Sequence, residues 1–164
     1  MTVQINYKSN NSKKNSSNLV LFVDEKFGVS ALKKYVLGKE YPYISDLIKS
    51  KNLKKKIITF DLNSKRKIIL VSLKKNLTTS EAEKLGAEFY NFFKDTSQTQ
   101  YIINSDTVTV KLKNFIGHFL HGLKLKSYVF NKYKSKKDIR LISINIIGNK
   151  NKPSEKDKLK FRAL

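Results

Sequence analysis

The pattern that most constrains this chain is a stripe of apolar residues: Leu112, Phe115, Ile116, Phe119, Leu120 and Leu123 recur at three- and four-residue steps. That spacing lines one face of a helix, predicted to run to about Phe130, and so wide a stripe has to be covered by something equally apolar. A second stripe precedes it, with Ala82, Leu85, Phe89, Phe92 and Phe93 on one face of a helix ending near Asp95. Runs of strand character surround both. Leu19–Val23 is continuously apolar, as a strand covered on both faces would be. Thr2–Tyr7 alternates polar residues with Val3, Ile5 and Tyr7, which suits a half-buried strand. Gln100–Asn104 reads as another strand, and Asp138–Gly148, with Ile139, Leu141, Ile144 and Ile146, as the last.

Shorter signals fill the intervals. Val29, Leu32, Val36 and Leu37 have helical spacing with Gly38 as a stop, and Ile44–Ile48 predicts a short helix after Pro42. Lys56–Leu62 and Lys67–Leu73 read as two strands of a hairpin joined through Asn63-Ser64-Lys65, a connection short enough for a tight turn although it lacks glycine. Ser80 with Glu83 three residues on is a capping-box candidate, and Glu81 adds negative charge near that helix start. Ser9–Asn18 is a Lys/Asn/Ser run and reads as a solvated loop. Strands alternating with helices, plus one hairpin, imply an α/β fold: a mixed, mostly parallel sheet flanked by helices on both faces. There is no internal repeat.

Composition narrows the function classes. A chain of 164 residues with 40% hydrophobic content suits one domain with a real core. Cysteine is absent, so disulfides, thiolate metal sites and a cysteine nucleophile are excluded. No run approaches the ~18 apolar residues of a membrane span, and the N-terminus carries no secretory pattern, so no membrane partner is expected and the expected compartment is the cytoplasm. The net charge of +21 invites a polyanion partner, because clustered cations gain affinity by releasing counterions from phosphate. The residue types argue otherwise. Only Arg66, Arg140 and Arg162 are arginine, and the arginine fork is the better tool for bidentate phosphate recognition. Abundant lysine beside 15 Asn and 15 Ile is also what AT-rich codon usage produces. Both readings stay open.

The segment His121–Lys137 carries a family resemblance. Gly122, Leu125, Tyr128, Phe130, Tyr133, Lys134, Lys136 and Lys137 match the segment that ends the last long helix of the N-terminal domain in the leucyl aminopeptidase (cytosol aminopeptidase) family. His121 and Asn131 depart, each standing where that family has an acid. Ile68–Tyr90, with its Leu-Thr-Thr-Ser-Glu-Ala-Glu stretch, is similar as well, and the likeness extends from about Leu19 to Leu164. The resemblance implies a macrodomain-like three-layer sandwich over residues 1–150, with residues 151–164 opening an interdomain linker helix toward a catalytic domain outside this chain. The tail Lys158–Leu164 stops without a C-cap signal, as a truncated chain would. The resemblance further implies a non-catalytic domain, partnered with the peptidase domain of the same protein. In that family such domains form outer parts of a hexamer and help organise access to a central cavity. Zn²⁺ or Mn²⁺ would be the cofactor of the full metalloexopeptidase, with none in this chain.

Candidate residues are few. His118 and His121 stand one helical turn apart, but residues 111–137 contain no Asp or Glu, so a structural or solvent-facing role is expected rather than a metal site. The two-metal signature of the family, Asn-Thr-Asp-Ala-Glu-Gly-Arg, is nowhere in the chain, and no pair of acids has a spacing that commends acid–base work, so no catalytic, cofactor or metal residue is assigned. The six glycines are dispersed and build no phosphate cradle. Lys111–Lys137 holds eight lysines interleaved with aromatics, which a single-strand nucleic-acid platform would want. Lys124, Lys126, Lys132 and Lys134 are the candidate contacts of that alternative, a free-standing basic nucleic-acid-binding or regulatory module. Bacterial members of the resembling family that bind DNA keep it open. At helical spacing, however, the aromatics suit a core. Tyr128 and Tyr133 are expected to anchor the helix end, and Gly122 to allow close packing of helix on sheet.

Overall fold

The computed structural model describes residues 2–8, 18–50, 53–93, 96–132 and 140–162. Six strands form one sheet: β1 (Thr2–Tyr7), β2 (Asn18–Asp24), β3 (Ile57–Asn63), β4 (Arg66–Leu73), β5 (Gln100–Asn104) and β6 (Leu141–Ile147). Their order across the sheet is β1-β6-β5-β2-β4-β3, and every pairing is parallel except that of β3 with β4. The α-helices are α1 (Glu40–Ser50), α2 (Thr79–Tyr90), α3 (Phe115–Lys132) and α4 (Glu155–Arg162).

The apolar run of β2 explains its central place. Residues Asn18–Val23 are all buried, and the strand alternates between two cores. Val20 and Phe22 join the core beneath α2 and α3, with Ile69, Val71, Phe89, Phe115 and Phe119 among its members. Leu19, Leu21 and Val23 join the opposite core with Leu32, Ile44 and Ile48. A two-residue side-chain period on a strand covered by helices on both faces produces this division. Three layers result, as the sequence predicts. Phe22 stands edge-on to Phe115 and to Phe119, with ring centroids 5.2 and 5.6 Å apart, the arrangement that aromatic quadrupoles favour.

Several local expectations change. The segment expected as a helix over Val29–Leu37 is a 3₁₀ helix at Ser30–Lys34, with Leu32 alone in it fully buried. The short helix expected at Ile44–Ile48 runs from Glu40 to Ser50, because the Glu40 carboxylate accepts the Leu37 backbone N–H and Pro42 sits in the first turn, where no amide bond is lost. The hairpin forms without glycine. Asp61 pairs with Lys67 and Asn63 with Arg66, leaving Leu62 as a bulge, and the Asn63 side chain accepts the Lys65 N–H at 2.8 Å. The cap of α2 belongs to Thr78 and Glu81, one reciprocal pair two residues before the expected Ser80 and Glu83. The last helix starts at Glu155 rather than Lys158, with the Ser154 hydroxyl accepting the Asp157 N–H. Of the loop expected over Ser9–Asn18, residues 9–17 lie outside the described residues, as do residues 133–139, whereas Asn18 is buried as the first residue of β2.

Candidate functional site

Helices α2 and α3 pack directly on each other over one face of the sheet and carry the chemistry-bearing residues that the sequence singles out. Their crossing is set by two glycines: Gly86 meets the carbonyl of Phe119, and Gly122 meets the carbonyl of Glu83. Gly122 therefore allows helix-on-helix contact, not helix-on-sheet contact as expected. Beside this crossing the Glu83 Oε1 atom lies 3.1 Å from His121 Nδ1 and 3.7 Å from His118 Nδ1. The carboxylate that residues 111–137 lack is supplied by the other helix. Sequence reasoning missed it because 38 residues separate Glu83 from His121. All three side chains are half-buried. Among the described residues no group of three His, Cys, Asp or Glu side chains could hold a metal ion, so the cluster is a histidine–carboxylate contact that bridges the two helices.

Two of the four lysines proposed for nucleic acid have described side chains. Lys124 is half-buried and Lys126 exposed on α3. Lys132 is the last residue of α3, its side chain not among those described, and Lys134 lies outside the described residues with Tyr133. The Lys124 carbonyl accepts the buried Ser127 hydroxyl at 2.7 Å, a bond to the helix's own preceding turn. Tyr128 departs from expectation: it is 65% exposed instead of anchoring the helix end, and Leu125 beside it is 36% exposed. An exposed tyrosine one turn from Lys124 is the only element of a stacking platform visible there among the described residues.

Elsewhere the charged groups serve the fold. Arg66 makes a bidentate bond with Glu40, Nε to Oε1 at 2.9 Å and Nη2 to Oε2 at 3.2 Å, with both side chains buried. Glu81 holds the α2 cap. The Thr78 backbone N–H, the Lys74 ammonium and the Thr78 hydroxyl all stabilise its carboxylate, and its pKa falls to about 2. At the carboxyl ends of β5 and β6, Asp106 accepts the N–H groups of Asn149 and Lys150 at 2.8 and 2.7 Å, fixing the turn in which Gly148 takes φ +105. No described helix is long and apolar enough to cross a membrane.

A six-stranded, mostly parallel sheet sandwiched between α1 on one face and α2 and α3 on the other defines a macrodomain-like α/β protein. The macrodomain of Thermus aquaticus DarG superimposes with a TM-score of 0.55 at 10% identity, covering 90% of this chain and 99% of that one. A point mutant of tomato leucine aminopeptidase superimposes with a TM-score of 0.68 at 16% identity, covering 98% of this chain. This chain spans 35% of the length of the tomato protein. Residues 20–137 match the model of the cytosol aminopeptidase family, N-terminal domain. The chain belongs to the cytosol aminopeptidase family and carries its N-terminal domain. No curated protein sequence matches it.

Proposed function

We propose that this chain is the non-catalytic N-terminal domain of a leucyl aminopeptidase-like metalloexopeptidase, supporting oligomer assembly and access to the active site of the full protein. The match over residues 20–137 carries the reading, and the tomato structure extends the likeness over nearly the whole chain. On this reading residues 1–150 are the domain proper, and α4 within residues 151–164 opens the link to the peptidase domain. The metal, Zn²⁺ or Mn²⁺, would belong to that peptidase domain, where carboxylates and a lysine would hold it and it would supply Lewis-acid polarisation of the scissile carbonyl and activation of a water. The homo-oligomer, a hexamer, and the cytoplasmic location are parts of the same proposal. The direct test is the reading frame downstream of Leu164, together with an activity assay. An Asn-Thr-Asp-Ala-Glu-Gly-Arg segment in a following domain, with no turnover of leucine amides by this chain alone in Mn²⁺ or Zn²⁺, is the expected result. Chelator-sensitive turnover by the repurified chain overturns it.

The exposure of Tyr128 favours one second reading, a nucleic-acid-binding surface on α3. Exposed aromatic and basic side chains on one helix can stack and pair with single strands. It ranks below the first because Lys124 and Lys126 alone place their charge there among the described side chains.

A further inference from the structure

A crevice opens just beyond the carboxyl ends of β2 and β4, the edge at which open α/β sheets admit ligands. Its volume is ≈ 330 Å³, at the lower end of the roughly 300–1,000 Å³ of small-molecule sites. Three connections and the first turns of α2 build it. Its floor is apolar: Phe27 and Leu85 are almost fully buried, and Leu77 is half-buried beside them. Phe27 takes φ 54, a left-handed conformation uncommon for so bulky a residue. The Asp24 carboxylate enforces it, accepting the N–H groups of Lys26 at 3.1 Å and Gly28 at 2.8 Å. Backbone strain held in place by neighbouring hydrogen bonds concentrates at ligand sites, and here it sits on a residue that lines the floor.

The rim has the opposite character. Lys54, Lys55, Lys56, Lys74 and Lys84 line it against two acids, Glu25 and Glu81. Glu81 is already committed to Thr78 and Lys74, and Lys56 lies 3.9 Å from Glu88. Lysines therefore outnumber the acids at the mouth of an apolar hollow, and a low-dielectric floor strengthens their pull on a negative charge. We propose that this crevice binds a small organic anion, with a phosphate or carboxylate head among the rim lysines and an apolar body of about one ring on Phe27, Leu77 and Leu85. Lysine ammonium groups act as point charges, so they hold either head without the fixed fork that arginine would impose. An inorganic anion satisfies only the rim, and a neutral aromatic only the floor.

The test titrates phenyl phosphate, benzoate, inorganic phosphate and benzyl alcohol into the chain at about 150 mM salt, where long-range attraction is screened within ~8 Å. Backbone amide shifts report the position. Phenyl phosphate or benzoate is expected to saturate, with shifts clustered at Gly28, Leu77 and Leu85, and to bind about tenfold tighter than the other two probes, a difference of ~1.4 kcal/mol. The Lys55→Ala/Lys84→Ala variant should weaken that binding by about fivefold, the scale of two exposed charge pairs, while Lys33→Ala/Lys34→Ala leaves it within about twofold. These exposed lysines are removed without disturbing the core, and a thermal melt confirms that each variant is folded. The proposal is overturned if neither aromatic anion saturates, if inorganic phosphate binds as tightly, or if the two lysine pairs cost the same. It stands or falls separately from the aminopeptidase reading, which this experiment does not touch.

Discussion

Gly86 of α2 and Gly122 of α3 are a reciprocal pair. A Cβ added to Gly86 would stand 1.8 Å from the Phe119 carbonyl oxygen, and one added to Gly122 would stand 1.9 Å from the Glu83 carbonyl oxygen. Each glycine makes room for the backbone of the opposite helix. The neighbours are main-chain atoms, so they cannot swing aside as a side chain would. Gly86→Ala and Gly122→Ala should therefore each destabilise the domain by about 1–3 kcal/mol or more, despite the better helix propensity of alanine. Urea denaturation measures this, and a gain in stability from either variant would show that the helices cross elsewhere.

Close approach at that crossing seats the aromatic cluster beneath it. Phe89 and Phe119 are fully buried, with ring centroids 5.4 Å apart. Replacing either by Ala should cost about 3–5 kcal/mol, the range for a large aromatic removed from a packed core. A loss below about 1 kcal/mol would contradict the burial of that ring.

Arg66 and Glu40 offer a test of a buried charge. Removing one partner leaves the other uncompensated in the interior, so Arg66→Met or Glu40→Leu alone should cost about 3–5 kcal/mol. The double replacement by apolar side chains should recover much of that loss, because the desolvation penalty of both ions disappears together. A double-mutant cycle by chemical denaturation gives the coupling. Additive single losses would show that the pair is not desolvated.

The α2 cap predicts a pH dependence. The Glu81 carboxyl sits at about 2, below its ordinary value of 4.5, so the folded state holds the ionised form more tightly than the unfolded chain does. Its contribution is fully present above about pH 4.5 and is lost as pH falls toward 2. The difference in melting temperature between the wild type and Glu81→Gln should therefore be constant near neutrality and shrink across that window. A difference that stays flat from pH 6 to pH 2 would remove Glu81 from the cap.

For nucleic acid, the prediction is an even spread of effect. Neutralising Lys124, Lys126, Lys132 and Lys134 should weaken single-stranded DNA binding no more than neutralising Lys33, Lys34, Lys54 and Lys55, since counterion release counts charges and not positions. Tyr128→Ala should change the affinity little. A loss confined to the first set, with about 1–3 kcal/mol lost at Tyr128, would instead establish a stacking platform on α3.

Much of this architecture is legible in short-range patterns. The apolar run of β2, the two helical stripes and the strand at Gln100–Asn104 each carry their own periodicity, and periodicity is a property of adjacent residues. Boundaries are harder to read. Thr78–Glu81 and Ser80–Glu83 both satisfy the three-residue spacing of a capping box, and only the first pair coincides with the turn that Leu77 makes as it packs against the core. Tyr128 matches the family's segment, yet it faces solvent because the buried stripe of α3 passes through Leu123 and Ser127 instead.

What the sequence by itself determined is the class of fold, the order of its elements and the absence of thiol chemistry, since these follow from residue type and short-range spacing. Tertiary structure alone decided which distant groups meet: Glu83 with His118 and His121, Arg66 with Glu40, Gly86 with Phe119, Gly122 with Glu83, and the lysines of two separate connections and of α2 around one apolar hollow. The physical reason is that such contacts are made by chain closure over tens of residues. The side-chain pattern on either partner changes little whether the other is present, so nothing local announces the pair until packing has fixed where each backbone runs.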